Sequence, residues 1–221
     1  PNPLVPANIV KLQNLVREKG CDIGVIYDGD ADRVMFTDET GRFISPDLMI
    51  ALMGHYWIGQ RGLKGKVLQD IRSSKAVGEY LVPMGAEMVT WKVGRAFAAR
   101  KLREIDGVYG GELAGHYYFR EFFYSDSGIM ASLIILGIAA NLKEHGIKLS
   151  EAIAKIEKYK NSGEINFKIG QKQQAMEAVC SYFKREEKPV AFMDFDGYRV
   201  EFNDWWFNIR PSNTEPYLRF I

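Results

Sequence analysis

The sequence predicts an α/β protein in which layered α/β/α domains with mixed sheets are followed by a smaller α+β domain. Two observations predict this fold class. Apolar runs of strand length alternate with segments of helical periodicity up to about residue 160, and beyond Gly163 one helix is followed by several short strands. With 221 residues, 47% of them hydrophobic, the chain is long enough to build more than one core.

The first segment carries a helix and two strands around an acidic loop. Apolar residues at helical spacing from Ile9 to Val16 predict a helix, and Gly20 is suited to end it. The apolar runs at residues 23–27 and 34–37 predict two strands. The acidic residues between them therefore form the loop that joins these strands.

The second segment begins at Ser45, where a serine cap and a proline at the first helical position predict a helix. Beyond it, strand and helix signals alternate, which is typical of a layered α/β domain. The predicted strands are 66–69, 88–90 and 107–109, and the predicted helices are 74–81, 96–102, 127–142 and 150–159.

The third segment has a different pattern, which predicts a small α+β domain. Turn residues at 195–197 and 203–204 separate its last strands as hairpins. The predicted strands are 165–169, 190–193, 198–202 and 205–209, with a helix at 173–183.

Composition excludes several classes of function. A formal net charge of +1 provides no general field for nucleic acid or for an acidic membrane. Cys21 and Cys180 lack the spacing of metal ligands and are predicted to be buried free thiols. The longest apolar candidate, residues 129–142, is too short and too interrupted to span a membrane, and no leader is visible, so we expect a cytoplasmic protein.

The aspartate loop (residues 28–33) is the first candidate site. Asp28, Asp30 and Asp32 alternate along it, and clustered carboxylates are stabilised by a hard, oxygen-seeking dication. Arg33 adds a fixed cation suited to phosphate. A solvated acidic turn remains an alternative, as does an EF-hand calcium loop with Glu39 at its twelfth position, although that motif needs glycine where Arg33 stands.

The glycine-rich loop (residues 110–116) follows a predicted strand and is the second candidate. Open α/β sheets bind ligands beyond the carboxyl ends of their strands. Glu112 can accept hydrogen bonds from two sugar hydroxyls, and His116 can donate to a hydroxyl or an anion. A glycine-rich turn with a structural role only is the alternative.

The C-terminal polar loop (residues 210–216) is the third candidate. Arg210 offers a bidentate fork, and Arg219 lies just beyond the loop. The short polar side chains beside the fork are Ser212, Asn213 and Thr214. This composition is suited to binding phosphate, and an ordinary hairpin turn is the alternative.

Two further arginines, Arg72 and Arg95, lie where predicted strands end and helices begin. Surface arginines without a function are common at such positions. The alternative interpretation is that both converge on an anionic ligand, as the position of their loops in an open sheet allows.

Taken together, the three loops in this order resemble the α-D-phosphohexomutases, especially the bacterial phosphomannomutase/phosphoglucomutase branch. The shared motifs are residues 1–4, 28–33, 111–116, 124–128, 162–166 and 210–216. The resemblance implies that residues 1–44 are the end of domain II, residues 45–160 are domain III, and residues 161–221 are a truncated domain IV with a TATA-binding-protein-like fold.

The resemblance also implies an activity: interconversion of mannose 6-phosphate and mannose 1-phosphate, with the glucose phosphates as further substrates, through a phosphoserine and a bisphosphate intermediate. Asp28, Asp30 and Asp32 would hold one Mg²⁺. The implied catalytic residues are Arg33, Arg72 and Arg95, and the implied substrate-binding residues are Glu112, Ala114, His116, Arg210, Ser212, Asn213, Thr214 and Arg219.

The loop that carries the phosphoserine in this family is not found in the sequence, so the resemblance implies a missing N-terminal domain as the partner of this chain. We therefore expect a fragment that is inactive alone and holds Mg²⁺ weakly. Ala114 replaces a common serine, Arg95 a common histidine and Arg72 a common lysine, and arginine cannot readily exchange protons near neutral pH. A non-catalytic sugar-phosphate or calcium-binding module is the alternative function.

Overall fold

The computed structural model describes residues 2–212 and 215–221, which divide into two compact units with a boundary between Lys158 and Tyr159. The predicted fold class is confirmed, because the first unit combines helices with a mixed sheet and the second joins one helix to an antiparallel sheet. Within the described residues, every helix is too short or too polar to traverse a lipid bilayer.

The first unit opens with a helix packed on a small antiparallel sheet. Helix α1 (Pro6–Lys19) ends at Gly20, whose left-handed φ of 63° suits a residue without a side chain. Strands β1 (Ile23–Tyr27), β2 (Val34–Asp38) and β3 (Phe43–Ile44) follow in spatial order. The register pairs the last residue of β1 with the first of β2, so the aspartate loop closes this hairpin.

A five-stranded mixed sheet forms the centre of the first unit. Its strands are β4 (Gly65–Asp70), β5 (Ala86–Trp91), β6 (Tyr109–Gly111), β7 (Tyr117–Phe119) and β8 (Ser125–Asp126). The spatial order is β5-β4-β6-β7-β8, with β4 parallel to both β5 and β6 and the remaining pairs antiparallel. The carboxyl ends of the parallel strands therefore meet at one edge, where the glycine-rich loop begins.

Helices cover both faces of this sheet. They are α2 (Pro46–Gly54), α3 (Lys75–Leu81), α4 (Arg95–Glu104), α5 (Gly128–Glu144) and α6 (Leu149–Ile156), with a π-helical turn at His55–Gln60 and 3₁₀ turns at Val82–Met84 and Arg120–Phe122. Val67 and Tyr117 pack into the large core with α2, α3, α5 and α6, whereas Leu68 and Tyr118 pack against α4. This alternation along the strands produces the α/β/α layers.

The second unit is an antiparallel sheet with one helix. Its elements are β9 (Ile165–Phe167), α7 (Lys172–Glu186), β10 (Ala191–Met193), β11 (Tyr198–Glu201), β12 (Trp206–Pro211) and β13 (Leu218–Phe220). The strand order is β10-β11-β12-β13-β9. Met176 and Cys180 of α7 pack against Val200 and Phe207 of the sheet, which forms a separate hydrophobic core.

The clearest departure from the predicted elements is β6, which begins two residues later than predicted and includes Gly110 and Gly111. A Cβ on Gly110 would lie 2.6 Å from the Cβ of Leu68, so this glycine permits close approach to β4 rather than marking a turn. Strand β7 was not predicted, because all three of its residues are buried aromatics and show no alternation of polarity.

Candidate active site

The aspartate loop is held in one conformation by Arg33. The Asp28 carboxylate accepts hydrogen bonds from the Arg33 backbone N–H at 3.2 Å and from its Nε at 2.6 Å. Ala31 has a left-handed φ of 59°, which is strained for a residue with a Cβ. Asp28, Asp30 and Asp32 each offer an oxygen within 4.8 Å of the others, a donor set that fits a hard divalent cation such as Mg²⁺.

The carboxylates of this loop differ in their electrostatics. Burial acts to raise the pKa of Asp28, but the hydrogen bonds and charge of Arg33 outweigh it and hold that pKa below its ordinary value. Burial raises the pKa of Asp32. The charge of His116 acts to lower this pKa, whereas the charges of Asp28 and Asp30 raise it further. A bound dication would relieve this repulsion between neighbouring carboxylates.

The glycine-rich loop forms a tight hairpin that is joined to the aspartate loop through the backbone. The Glu112 N–H donates to the His116 carbonyl at 2.9 Å, and Gly115 has a left-handed φ of 88°. Val34 donates its N–H to the Gly115 carbonyl at 3.1 Å, and Arg33 forms a β-bridge with His116. These backbone contacts place the two predicted loops side by side.

Glu112 is a buried carboxylate, only 2% exposed, held by one hydrogen bond to each oxygen. Its Oε1 accepts from the Gly94 N–H and its Oε2 from the Tyr118 hydroxyl, both at 2.6 Å. Burial raises the pKa of Glu112, and the charge of Asp70 raises it further. A carboxylate oxygen has a second acceptor position, so Glu112 can still bind ligand hydroxyls.

His116 and Arg95 share a single carboxylate, Asp126. The Oδ2 of Asp126 lies 2.8 Å from His116 Nδ1, and its Oδ1 accepts from Arg95 Nε at 2.7 Å. Burial acts to raise the pKa of Asp126, but both partners outweigh it and hold the pKa below its ordinary value. Asp126 lies in the shared motif at residues 124–128, but the sequence assigned it no role, because an acidic residue just before a helix is common and its partners are distant in sequence.

Asp126 also belongs to a second group of potential metal ligands, with Asp32 and His116. Its two oxygens already serve an arginine and a histidine, and the nearest Asp32 oxygen lies 3.9 Å from the same histidine nitrogen. A cation at this position would compete with Arg95. The aspartate loop is therefore the better candidate metal centre.

Arg72 is nearly buried and is paired with Asp70 through Nε at 3.3 Å and Nη2 at 2.8 Å. Asp70 also accepts the backbone N–H of Leu113 at 2.8 Å, which connects Arg72 to the glycine-rich loop. Ala114 lies in that loop and adds only a methyl group. Asp70 was also missed by sequence reasoning, which considered only side chains in the loops.

In the second unit, Arg210 and Arg219 lie opposite each other on neighbouring strands. Arg210 is 3% exposed and binds Asp196 at 3.1 Å, and its Nε is buried without a hydrogen-bond partner among the described residues. Arg219 is paired with Glu164 at 3.3 Å and with Glu215, and its Nε is likewise buried and unbonded within that part of the chain.

Ser212 follows β12 and is held in a turn. Its N–H donates to the Tyr217 carbonyl at 2.9 Å, and its hydroxyl accepts from the Glu215 N–H at 3.2 Å. Asn213 and Thr214, the other two predicted members of the C-terminal polar loop, lie outside the described residues.

Family models cover nearly the whole chain. Residues 1–41, 45–159 and 164–221 match, in order, the phosphoglucomutase/phosphomannomutase α/β/α domain II, α/β/α domain III and C-terminal domain. The three matched domains therefore follow one another along the chain in the order II, III and C-terminal domain.

Known proteins agree with these matches. The chain is 38% identical over 220 residues to phosphohexose mutases of Xanthomonas campestris and 38% identical over 220 residues to a phosphomannomutase of Vibrio cholerae. Both alignments cover 99% of this chain but only 48% and 46% of the relatives, so the chain spans about half their length.

A solved phosphoglucomutase/phosphomannomutase family protein from Burkholderia thailandensis has the same fold, with a TM-score of 0.80, 24% identity, and coverage of 99% of this chain and 46% of that one. The domain matches, the sequence relatives and the shared fold lead to one conclusion: this chain belongs to the phosphoglucomutase/phosphomannomutase family.

Proposed function

We propose that this chain is part of a phosphomannomutase that interconverts mannose 6-phosphate and mannose 1-phosphate by phosphoryl transfer, with the glucose phosphates as further substrates. The observation that carries the proposal is the backbone junction between Arg33 and His116. It joins a group of carboxylates suited to Mg²⁺ to a hairpin whose buried Glu112 can bind hydroxyls. A sugar phosphate needs both kinds of contact.

In this proposal Asp28, Asp30 and Asp32 hold Mg²⁺, which when bound neutralises charge on a phosphoryl group. The guanidinium charge of Arg33 stabilises the same phosphoryl oxygens. Its Nε is already fixed on Asp28, so its guanidinium needs little reorganisation when the ligand arrives.

The other two arginines have different proposed roles. The Arg95 side chain is 58% exposed, so its guanidinium can reach an anionic ligand while Nε stays on Asp126. The Arg72 side chain is only 9% exposed and is paired with Asp70. We therefore assign Arg72 an electrostatic role, since its charge partly offsets the burial that raises the pKa of Glu112.

We propose that the second unit binds the phosphate that is not transferred, through Arg210, Ser212 and Arg219 together with Asn213 and Thr214. The Nε atoms of Arg210 and Arg219 support this role, because they are buried without a hydrogen-bond partner among residues 2–212 and 215–221, and such donors are costly unless a ligand meets them. The corresponding domain layout is 1–44, 45–160 and 161–221, with the phosphoserine supplied by a further domain of the same enzyme.

Two measurements test this proposal. Calorimetry with mannose 1-phosphate and Mg²⁺ should show binding to the chain. Glu112→Gln should weaken this binding. Glu104→Gln, at an exposed carboxyl, is the matched control and should leave it unchanged. No binding, or a strong preference for Ca²⁺ over Mg²⁺, would favour a different function.

The second measurement is mutase turnover with added hexose bisphosphate. We expect none from this chain alone, because the serine that carries the phosphoryl group would lie in another domain. Sustained turnover by the isolated chain would contradict the assignment of the phosphoserine to another domain.

A further inference from the structure

We propose that Asp126 is a positioning residue that fixes the tautomer of His116 and the orientation of Arg95. The site then presents a hydrogen-bond acceptor and a cation together, which suits a ligand with a hydroxyl near a phosphate. The choice of ligand rests on the proposed function, whereas the tautomer does not.

The first part of the argument is geometric. Oδ2 of Asp126 lies 2.8 Å from His116 Nδ1, whereas Oδ1 accepts from Arg95 Nε at 2.7 Å and, at 3.4 Å, from the Ser125 hydroxyl. The Asp126 side chain is 1% exposed, so water does not compete for either contact. A buried carboxylate with both oxygens engaged has one available orientation.

The second part concerns the proton on the imidazole ring. An ionised carboxylate only accepts hydrogen bonds, so His116 Nδ1 must be the donor and carry the proton. In the neutral ring this leaves the lone pair on Nε2, which has no hydrogen-bond partner among the described residues. Tyr118 stacks on the ring with centroids 6.3 Å apart and so restricts its rotation.

Asp32 is the other acidic group facing this ring, and it does not change the assignment. Its Oδ2 lies 3.9 Å from His116 Nδ1, too far for a hydrogen bond, so Asp126 is the acceptor that selects the tautomer. Asp32 remains directed to the candidate metal centre, where it groups with the other two carboxylates of the aspartate loop.

The third part concerns Arg95, which uses only Nε to bind Asp126 and is otherwise largely exposed. Its terminal nitrogens can therefore donate to a ligand anion. With one carboxylate holding both side chains, His116 Nε2 accepts from a hydroxyl while Arg95 donates to a neighbouring phosphate.

The test is a long-range ¹⁵N–¹H correlation spectrum of the imidazole rings in this chain, recorded at a pH where they are neutral. The chain has three histidines, and His116→Gln assigns the relevant ring. We expect a proton on Nδ1 of His116 and none on Nε2. The opposite tautomer would overturn the proposal without any variant.

Asp126→Asn sharpens the test, because Arg95 can only donate and must therefore face the new amide oxygen. The amide nitrogen then donates to His116 Nδ1, so the tautomer should reverse and the proton should move to Nε2. Asp106→Asn, a change at an exposed carboxyl in the same unit, should leave the spectrum of His116 unchanged. An unchanged tautomer in folded Asp126→Asn would overturn the proposal.

Titration with mannose 1-phosphate separates this inference from the proposed function. A shift of the His116 Nε2 signal supports both. The expected tautomer with no response to the sugar phosphate upholds the positioning role of Asp126 and contradicts the proposed ligand.

Discussion

The two units position their charged groups in different ways. In the first unit, carboxylates and cations from distant parts of the sequence are joined by a β-bridge at Arg33 and His116 and by the shared carboxylate Asp126. In the second unit, Arg210 and Arg219 face each other because of strand register, and their carboxylate partners belong to the same unit.

This difference shows what each candidate site depends on. The first depends on close contact between two loops, so it is sensitive to any added atom at their junction. The second depends on one sheet and its hairpin turns, so changes that disturb strand register should affect it most. The following predictions separate these two dependences.

The largest expected effect is in the second unit, from Gly197→Ala. Gly197 has a φ of 69°, and a Cβ there would lie 2.4 Å from the backbone oxygen of Ile209 and from the Cβ of Arg210. Backbone cannot move aside easily, so we expect the free energy of unfolding of this unit to fall by about 4 kcal/mol. Amide hydrogen exchange resolved by peptide measures this loss separately in each unit.

Gly163→Ala is the matched control, because it has a φ of 76° but nothing within 4 Å of the added atom. It should lower the free energy of unfolding only by the backbone strain of a non-glycine residue at positive φ, about 1 kcal/mol. Equal losses for the two variants would show that the contact with β12 is unimportant.

The next effect is in the first unit, from Gly115→Ala, which adds a methyl at the junction of the two loops. Its Cβ would lie 2.4 Å from Met35 Cε and 3.1 Å from the Val34 oxygen. The Met35 side chain can partly yield, so we expect a loss of about 3 kcal/mol. Protection of backbone amides from hydrogen exchange should fall in the aspartate loop and in the glycine-rich loop together.

For this variant Gly146→Ala provides the comparison, since Gly146 has a φ of 71° and open space around it. It should cost about 1 kcal/mol and leave both loops protected. If Gly115→Ala released only the glycine-rich loop, the coupling between the loops would be refuted.

A smaller effect concerns pH and Glu112. Because burial raises its pKa in the folded chain, folding favours the protonated carboxyl, and that contribution fades as pH rises through the raised value. Glu112→Gln cannot titrate, so its free energy of unfolding relative to the parent should increase as the pH rises from about 4 to about 7. Urea denaturation across this range measures the difference.

Glu104→Gln, at an exposed carboxyl, should show no comparable trend. If the difference between Glu112→Gln and the parent falls with rising pH instead, Glu112 is stabilised as the carboxylate.

The smallest effect tests the metal centre. At Mg²⁺ twice its dissociation constant, binding should stabilise the first unit by about 0.7 kcal/mol. Asp30→Asn should abolish this gain with little effect on the metal-free chain, because Asp30 is exposed. Asp28→Asn should also lower stability without metal, since Asp28 holds Arg33. A full gain in Asp30→Asn would exclude Asp30 as a ligand.

Sequence patterns located the fold class and the loops, because alternating aspartates, glycine turns and periodic apolar residues are local signals. They did not reveal Asp126, Asp70 or Tyr118, whose roles depend on contacts between segments far apart in the chain. The start of β6 was misplaced for a related reason: Gly110 serves a neighbouring strand, which no local pattern records.

The β-bridge between Arg33 and His116 has a further consequence for selectivity. Main-chain hydrogen bonding sets the spacing between the aspartate loop and Glu112, and that spacing changes little when side chains are exchanged. If this loop binds the sugar as we propose, a change at Ala114 would alter which hydroxyls are recognised without altering the reach required of a ligand. Selection of a ligand by its length would therefore change little when loop side chains are exchanged, whereas selection by the identity of its sugar would change more easily.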